Sequence, residues 1–426
     1  TTEIYTLSLH DALPIYLDQI KWNIQTTIAS KVMGIATDKY LKLSSTSQTL
    51  GICEDSSKRL LYIHIPFCAS LCPYCSFHKF LFDENTAITY FELLRDEMKM
   101  VYDLGYKFDS VYFGGGTTTI LPLELSKTID YAKSLFDIKE ISCESTPMAL
   151  KSLIEHNLHK KIDRLSVGIQ SFNDEYLKQI QRYKKFGSAQ EQYEKVKNAI
   201  GLFKAINIDI IYNYPNQSEE ELSEDIETIL ELKPNQVTFY PLMYSPSLKK
   251  TLTKQWGKTS DEQEAKLYKL ILEKMKGMYT QRSSWAWSLQ SKDIIDEYVI
   301  ERAEYIGIGS GAFSFIGDTL YANTFSLKVY EAMITQGKLP ITHNAIFPKR
   351  AIKQYRMMVE LFGLQKSSEH LYFEELLLKL YGAYNKDAIS AKGAFLFSVL
   401  MKEFYNGMDN VRATMRSKLK EEDGLL

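Results

Sequence analysis

From Leu60 to Tyr240, short runs of β-branched and aromatic residues alternate with longer stretches in which apolar residues recur at helical spacing. This alternation is typical of βα units that build a parallel sheet. Six units are fewer than the eight of a closed barrel, so we expect an α/β fold with an open, partial (βα)6 barrel whose site lies at the carboxyl ends of its strands. The predicted strands are residues 60–65, 110–113, 140–144, 162–167, 208–212 and 236–240.

The stretches between these strands carry one apolar face each. In the first of them, the apolar residues recur at i, i+3, i+7 and i+10, which predicts a helix that packs on the sheet. Ser218 and Glu221 form a capping-box pattern and predict the start of another helix. The apolar positions of the first face are Phe91, Leu94, Met98 and Val101.

Motif positions and composition divide the chain into five parts. Residues 2–15 resemble the conceptual translation of a sequencing-library adapter, and we exclude them from fold prediction. From about Leu327 the sequence becomes mostly helical, with Lys-rich faces. The predicted parts are an adapter-derived artefact at 1–15, an N-terminal extension at 16–59, the partial barrel at 60–280, a barrel-associated region at 281–326 and a smaller, mainly helical C-terminal domain at 327–426.

Composition excludes several classes of function. With 51 Lys and Arg against 53 Asp and Glu, the formal net charge is -2, so there is no broad basic field of the kind that binds nucleic acid. No run approaches the ~18 apolar residues that a membrane span needs. Three of the five cysteines lie within eight residues, which does not resemble a disulfide framework and favours a reducing, cytoplasmic setting.

The clustered cysteines, Cys68, Cys72 and Cys75, form a C-x3-C-x2-C array directly after the first predicted strand. Three thiolates on one loop can each hold one iron of a 4Fe-4S cubane and leave the fourth iron open to a ligand. Zinc is an alternative, but it normally takes four ligands, and Cys53 and Cys143 lack the required spacing. Three cysteines buried for packing alone are a further alternative.

The sequence resembles the radical S-adenosylmethionine (SAM) family of oxygen-independent coproporphyrinogen III oxidases, which also includes haem chaperones. The resemblance runs from about Leu60 to Asp318 and rests on ordered motifs: YIHIPFC with the cysteine array, GGGTT, CESTP, RLSVGIQSFND, DIIYNYP and GIGSGAFSF. It implies a 4Fe-4S cluster on Cys68, Cys72 and Cys75, and SAM as second cofactor.

The resemblance also implies which residues contact SAM. Gly115 and Gly116, at the end of the second strand, let backbone amides approach a ligand, and Thr117 offers a hydroxyl beside them. A carboxylate at the end of the third strand can accept hydrogen bonds from ribose, and an Arg can pair with the SAM carboxylate. The full implied set is Tyr62, Tyr74, Gly115, Gly116, Thr117, Glu144, Gln170, Arg182 and Asp209.

Several positions depart from the family pattern. The oxidases carry a fourth cysteine two residues after the third cluster ligand, where this chain has Phe77, as in the chaperone-like branch. Thr118 stands in place of the usual proline after GGGT, and Asn213 and Asn216 replace glycines of the fifth-strand loop. These departures concern the substrate more than the cluster.

The implied function is an oxidoreductase of porphyrin biosynthesis. Reductive cleavage of SAM gives a 5'-deoxyadenosyl radical, which acts on a tetrapyrrole by oxidative decarboxylation of propionates. The alternatives are a haem chaperone without oxidase activity and radical SAM methylation or breakdown of a tetrapyrrole. The implied partners are a tetrapyrrole or haem and an electron donor such as flavodoxin or ferredoxin.

Overall fold

The structure is a computed structural model that describes residue 17 and residues 20–244, 246–289, 304–385 and 388–419, without the side chains of residues 246–248 and 385. The predicted artefact at 1–15 and part of the barrel-associated region, residues 290–303, lie outside the described residues. The strands are β1 (Ser44–Ser45), β2 (Lys58–Ile65), β3 (Phe67–Cys68), β4 (Phe80–Leu81), β5 (Lys107–Gly115), β6 (Glu140–Ser145), β7 (Arg164–Gln170), β8 (Ala205–Tyr212), β9 (Gln236–Pro241), β10 (Tyr279–Gln281), β11 (Ala286–Leu289), β12 (Tyr305–Ile308), β13 (Phe313–Ile316), β14 (Thr319–Asn323), β15 (Ile341–Ile346), β16 (Tyr384–Asn385) and β17 (Ala388–Ile389).

Helices occupy the predicted positions between the strands and continue beyond them. The α-helices are α1 (Ile24–Tyr40), α2 (Glu84–Asp103), α3 (Pro122–Leu135), α4 (Leu150–Glu155), α5 (Asp174–Gln179), α6 (Tyr183–Phe186), α7 (Ala189–Ala199), α8 (Glu219–Leu232), α9 (Pro246–Trp256), α10 (Asp261–Met275), α11 (Leu327–Thr335), α12 (Lys349–Phe362), α13 (Tyr372–Tyr381) and α14 (Ala391–Arg416). None of these helices is both long and apolar enough to cross a membrane.

The predicted partial (βα)6 barrel is confirmed. Strands β2, β5, β6, β7, β8 and β9 are neighbours in that order, and every adjacent pair is parallel. The strand predicted at 162–167 runs instead from Arg164 to Gln170. The apolar face predicted for α2 is fully buried, and α8 begins with the predicted capping box of Ser218 and Glu221.

The two faces of the barrel strands differ in chemistry. Side chains alternate along a strand, so residues two apart share a face. The outer face of β8, with Ile206, Ile208 and Ile210, is buried against helices, whereas its inner face carries Asn207 and Asp209. Register pairs across the sheet continue this inner face as a polar one, which creates a polar lumen at the centre of the barrel.

The sheet extends beyond the barrel on both sides. Next to β2 lies β12, which is parallel to it, followed by the antiparallel strands β13, β14, β15 and β1. Next to β9 lie the antiparallel strands β11 and β10. Residues 341–346 of the predicted C-terminal domain are therefore a strand of this sheet, although that domain is helical elsewhere for most of its described length. The domain boundaries themselves remain a prediction.

Candidate functional site

The cysteine loop leaves the barrel at the carboxyl end of β2. Cys68 ends β3, which pairs with β4, so both ends of the loop are tied together beside the barrel. The backbone N–H of Phe82 donates to the carbonyl of Cys68 at 2.9 Å, which secures the same closure. Cys68, Cys72 and Cys75 are half-buried and none of them is in a disulfide, so their thiols are available as ligands.

Burial and neighbouring groups have opposite effects on the thiol of Cys68. Burial raises the pKa of Cys68 to about 11, and the nearby Cys75 adds to the rise, while a hydrogen bond with Thr117 lowers it. The Lys185 Nζ lies 3.7 Å from the Sγ of Cys72, and the Lys79 Nζ donates to the carbonyl of Cys75 at 2.6 Å. A coordinating metal displaces the thiol proton outright, so the raised pKa does not prevent ligation.

The donor set fits a cluster better than a single ion. Among the described residues, no three His, Cys, Asp or Glu side chains converge closely enough to hold one metal ion. In a cubane each thiolate binds a different iron, so the ligands surround the cluster and do not meet at a point. Three free cysteines spread over one short loop have the chemistry and the arrangement that such a cluster needs.

The glycines at the end of β5 allow a close backbone approach. A Cβ on Gly116 would lie 2.6 Å from the carbonyl oxygen of Phe67, and one on Gly115 would lie 2.7 Å from the ring of His64. Gly115 also has φ +121°, which side-chain-bearing residues rarely adopt. Thr117 follows, and its N–H donates to the carbonyl of Phe67 at 2.7 Å. This turn therefore lies directly against the start of the cysteine loop.

Glu144 and Asp209 face each other inside the barrel. The Glu144 carboxylate accepts from the hydroxyl of Tyr112 at 2.9 Å and from the N–H of Gly115 at 3.1 Å. Burial raises the pKa of Glu144 to about 7, and the nearby Asp209 carboxylate contributes to the rise. Burial also raises the pKa of Asp209, which accepts hydrogen bonds from Ser166 and Asn207. Both carboxylates belong to the predicted set of SAM contacts, and both are held by hydrogen bonds inside the barrel.

Sequence analysis missed Arg164, whose positive charge acts on both of these carboxylates. Its side chain is buried, its Nε donates to the Oε1 of Gln236 at 2.6 Å, and its charge lowers the pKa of both Glu144 and Asp209. The signal was available, because Arg164 and Ser166 alternate along β7 in phase with Gln170, which is the pattern of a polar inner face.

Gln170 and Arg182 meet above Gly168. A Cβ on Gly168 would lie 2.7 Å from the Nε2 of Gln170 and 3.7 Å from the Nη2 of Arg182, and that Nη2 donates to the Gly168 carbonyl. Gln170 has φ +78° and follows an irregularity in the pairing of β7 with β8, a bulge that redirects its side chain. Arg182 also hydrogen bonds with Tyr74 on the cysteine loop. Three predicted SAM contacts therefore lie together.

Two atoms in this group indicate an anionic ligand. The Arg182 Nε is buried and has no hydrogen-bond partner among the described residues, although buried donors are nearly always paired. Burial raises the pKa of Tyr74 well above its usual range, so this phenol keeps its proton and can donate it in a hydrogen bond. An arginine of this kind can bind the carboxylate of an amino-acid moiety.

Tyr62 completes the lumen on the side of β2. Its ring stacks on Tyr112 at 6.1 Å, and its hydroxyl lies 2.9 Å from the Nδ1 of His64. Because the His64 Nε2 lies 3.0 Å from the backbone carbonyl of His78, which can only accept, Nε2 carries the proton and Nδ1 accepts from Tyr62. Burial lowers the pKa of His64 to about 4, which keeps this ring neutral.

The departures from the family pattern have local explanations. The hydroxyl of Thr118 donates to the Glu144 carbonyl, which ties the glycine turn to β6. Asn213 and Asn216 replace glycines at φ +64° and +61°, a left-handed region that asparagine tolerates. The ring of Phe77 lies 5.0 Å from the guanidinium of Arg412 on α14, a contact that sequence analysis did not predict.

Comparison with known proteins agrees with this geometry. A family model described as the radical SAM superfamily matches residues 62–229. The haem chaperone HemW of Bacillus subtilis (strain 168) is 29% identical over 66% of this chain and 76% of its own length. The oxygen-independent coproporphyrinogen III oxidase of Helicobacter pylori (strain ATCC 700392 / 26695) is 27% identical over 71% of this chain and 72% of its own.

A solved structure supports the fold. Coproporphyrinogen III oxidase (HemN) from Escherichia coli, described as a radical SAM enzyme, is similar with a TM-score of 0.69, covering 87% of this chain and 98% of its own at 20% identity. The order of the barrel strands, the cysteine loop at their carboxyl ends and the sequence similarities lead to one assignment. This chain carries a radical SAM domain at residues 62–229 and is similar in sequence to proteins named oxygen-independent coproporphyrinogen III oxidase and haem chaperone HemW.

Proposed function

We propose that this protein cleaves SAM reductively at a 4Fe-4S cluster held by Cys68, Cys72 and Cys75, and that it directs the resulting chemistry at a tetrapyrrole. The observation that carries this proposal is the convergence of the cysteine loop, the glycine turn and the buried Arg182 at the carboxyl ends of the barrel strands. When bound, the cluster supplies an electron that breaks the sulfonium bond of SAM to give a 5'-deoxyadenosyl radical.

The side chains of the lumen have separate roles in binding. Arg182 offers its unpartnered Nε to the carboxylate of the methionine moiety, and Tyr74 holds the same guanidinium in place. Gly115 and Gly116 bring the backbone close to the ligand, next to the hydroxyl of Thr117. A separate pair, Glu144 and Asp209, accepts hydrogen bonds from the ribose hydroxyls, and Gln170 lies beside Arg182 over the same ligand.

The reaction to test first is decarboxylation of coproporphyrinogen III. Removal of a hydrogen atom from a propionate side chain, loss of carbon dioxide and transfer of one electron to an acceptor leave a vinyl group. Anaerobic incubation of the reconstituted protein with SAM, a reductant and the substrate should yield 5'-deoxyadenosine and a tetrapyrrole of lower mass. Absence of any SAM cleavage by a preparation that carries the cluster would contradict the proposal.

Haem chaperone activity is the second candidate. It is supported by Phe77, which occupies the position of the oxidases' fourth cysteine, and by similarity to proteins named haem chaperones. Haem titration followed by transfer to an apo-haemoprotein tests this function. Mass spectrometry of a reaction that contains haem separates both candidates from methylation or breakdown of the tetrapyrrole. Only methylation and breakdown change the mass of haem.

A further inference from the structure

Lys79 is a buried lysine at the end of the cysteine loop. Its side chain belongs to a residue that is only 6% exposed, although lysine is almost never buried unless its charge is paired. Among the described residues, its Nζ donates to two backbone carbonyls, that of Cys75 at 2.6 Å and that of Cys72 at 3.4 Å, and pairs with no carboxylate. The positive charge is therefore buried without a negative partner on this part of the chain.

Strand pairing fixes the backbone of Lys79. The next residue, Phe80, begins β4, and its N–H donates to the carbonyl of Pro66 at 2.6 Å. From this anchor the lysine side chain turns back into the loop towards Cys72 and Cys75, where the N–H of Cys75 also donates to the carbonyl of Cys72 at 3.3 Å. Lys79 thus fastens the turn that sets the separation of two of the three candidate ligands.

Two further cations hold the same loop from other elements. Lys185 on α6 donates its Nζ to the carbonyl of Leu71 at 2.6 Å, and Arg416, the last residue of α14, donates its Nη1 to the carbonyl of Phe77 at 3.3 Å. The loop itself, residues 66–80, contains no Asp or Glu. Three positive side chains therefore surround a segment that has no negative side chain of its own.

These charges act on the thiols. Burial raises the pKa of the Cys68 thiol, and the positive charge of Lys79 opposes this rise. Burial lowers the pKa of the Arg416 guanidinium, and the nearby Cys75 opposes this fall. Thiols become thiolates when they bind a metal, so ligation supplies the negative charge that the cations around the loop lack.

We propose that Lys79 is a positioning residue for the 4Fe-4S cluster, whose charge stabilises the three thiolates and whose hydrogen bonds hold the turn between Cys72 and Cys75. This inference rests on the proposed function for the presence of the cluster. A buried ammonium group is unfavourable beside neutral thiols and favourable beside thiolates, so it increases the affinity of the folded loop for the cluster. It also favours the reduced cluster, which carries one more negative charge, and so raises the reduction potential.

Substitution of Lys79 tests the effect of its charge. Lys79→Met keeps most of the side-chain volume and removes the charge, so the ratio of reduced to oxidised cluster at a fixed potential should fall about ten-fold, equivalent to ~59 mV for one electron. Lys79→Arg keeps the charge and should change this ratio less than about two-fold. Potentiometric titration of the anaerobically reconstituted full chain, monitored by electron paramagnetic resonance, measures the ratio.

Lys184→Met is the matched control for this titration. It removes a lysine charge at an exposed position on α6, where solvent screens the charge, and should change the ratio less than about two-fold. An effect of the control as large as that of Lys79→Met would assign the shift to net charge and overturn the inference.

Melting temperatures of cluster-free and cluster-loaded protein distinguish a role towards the cluster from a structural one. A ligand stabilises the folded chain according to its affinity, so loading should raise the melting temperature less in Lys79→Met than in wild type, and Lys79→Arg should restore the rise. A lysine that only supported the fold would lower both melting temperatures equally. Anaerobic differential scanning fluorimetry makes the comparison.

The inference and the proposed function can fail separately. A wild-type chain that assembles no cubane would overturn both. A cubane whose reduction potential, or whose effect on the melting temperature, is the same in Lys79→Met and wild type would overturn the inference and leave the proposed function standing. Loss of the cubane in Lys79→Met but not in Lys79→Arg would support the role of the charge, whereas loss in both variants would overturn it.

Discussion

The barrel lumen lies beside an apolar cavity between α1 and the helices α12, α13 and α14, and the two are formed by different parts of the chain. The lumen draws its side chains from consecutive strand ends between β2 and β8, in a part of the chain where each motif directly follows its strand. The cavity draws its walls from α1 and from helices more than 300 residues later. The polar groups that we propose as cofactor contacts thus come from local motifs, whereas the apolar walls come from distant segments.

This difference shows which parts of such a chain can be recognised from its amino-acid sequence alone. A residue that must contact a fixed cofactor is held to one position and one chemistry, which is the role that we propose for Arg182 and the three clustered cysteines. A wall of Leu, Met and Phe has the composition of any core, since cores tolerate many apolar exchanges at constant volume. The next five predictions test whether the two regions are as separable as this comparison implies.

The largest effect is expected in the lumen. Changing Cys68, Cys72 and Cys75 together to Ala should abolish the cubane signal in electron paramagnetic resonance after anaerobic reconstitution, and with it SAM cleavage, because no thiolates remain to hold iron. Cys53→Ala, which removes a half-buried cysteine outside the array, is the control. An unchanged cubane signal in the triple variant would refute the assignment.

Glu97 connects α2 with the loop after β12, with β14 and with α11, and should be a sensitive structural position. This buried carboxylate on α2 accepts from the N–H of Gly309, the amide of Asn323 and the hydroxyl of Tyr330 at 2.7–2.8 Å. Glu97→Ala leaves these buried donors without their acceptor and should lower the free energy of unfolding by ~3–5 kcal/mol. Urea denaturation followed by circular dichroism measures the loss, and a change below 1 kcal/mol would contradict it.

The same residue predicts a pH dependence. Burial raises the pKa of Glu97 from 4.5 to about 7, so between these values the folded protein holds a proton that the unfolded chain has released. Stability due to this group should therefore be greatest below pH 4.5 and fall as the pH rises through 7, by at most about 1.4 kcal/mol per pH unit. Glu97→Gln does not titrate, so it should gain stability relative to wild type over this interval. A constant difference would contradict the shift.

A smaller effect is expected where α1 crosses α14. A Cβ on Gly407 would lie 2.5 Å from the Cβ of Thr37, so Gly407→Leu must displace α1 and should lower the free energy of unfolding by ~1–3 kcal/mol. The cluster signal should not change. Gly34→Leu, at a glycine of α1 with no atom within 4 Å of its Cβ position, should be neutral or slightly stabilising. Differential scanning fluorimetry compares the two variants, and equal melting temperatures would contradict the prediction.

The smallest effect concerns the environment of the cluster. Lys185→Met removes a positive charge 3.7 Å from the Sγ of Cys72, and the loss should make the cluster reduction potential more negative, because the charge favours the reduced form. Potentiometric titration monitored by electron paramagnetic resonance measures the shift. Lys184→Met, at the exposed neighbouring position, is the matched control and should leave the potential unchanged. An equal shift in both variants would indicate a general charge effect.

Prediction from the sequence succeeded where a pattern has one structural solution. Alternation of apolar residues placed all six barrel strands, and the helical spacing of Phe91, Leu94 and Met98 identified a face that is fully buried. It failed for Arg164, whose place in the lumen depends on which face of β7 turns inward. It also failed for β15, because a strand at 341–346 is fixed by its pairing with β14, not by its own short sequence.

The sequence alone determined the type of barrel, the cysteine loop and the order of the residues expected to contact SAM, because each of these depends on spacing within a short segment. Only the tertiary structure decided that α1 packs on α14, that Arg412 covers Phe77 and that a cavity opens beside the cysteine loop. Contacts between residues hundreds of positions apart are set by the shapes of surfaces that form only once the chain has folded. The local periodicity of apolar residues does not predict those surfaces.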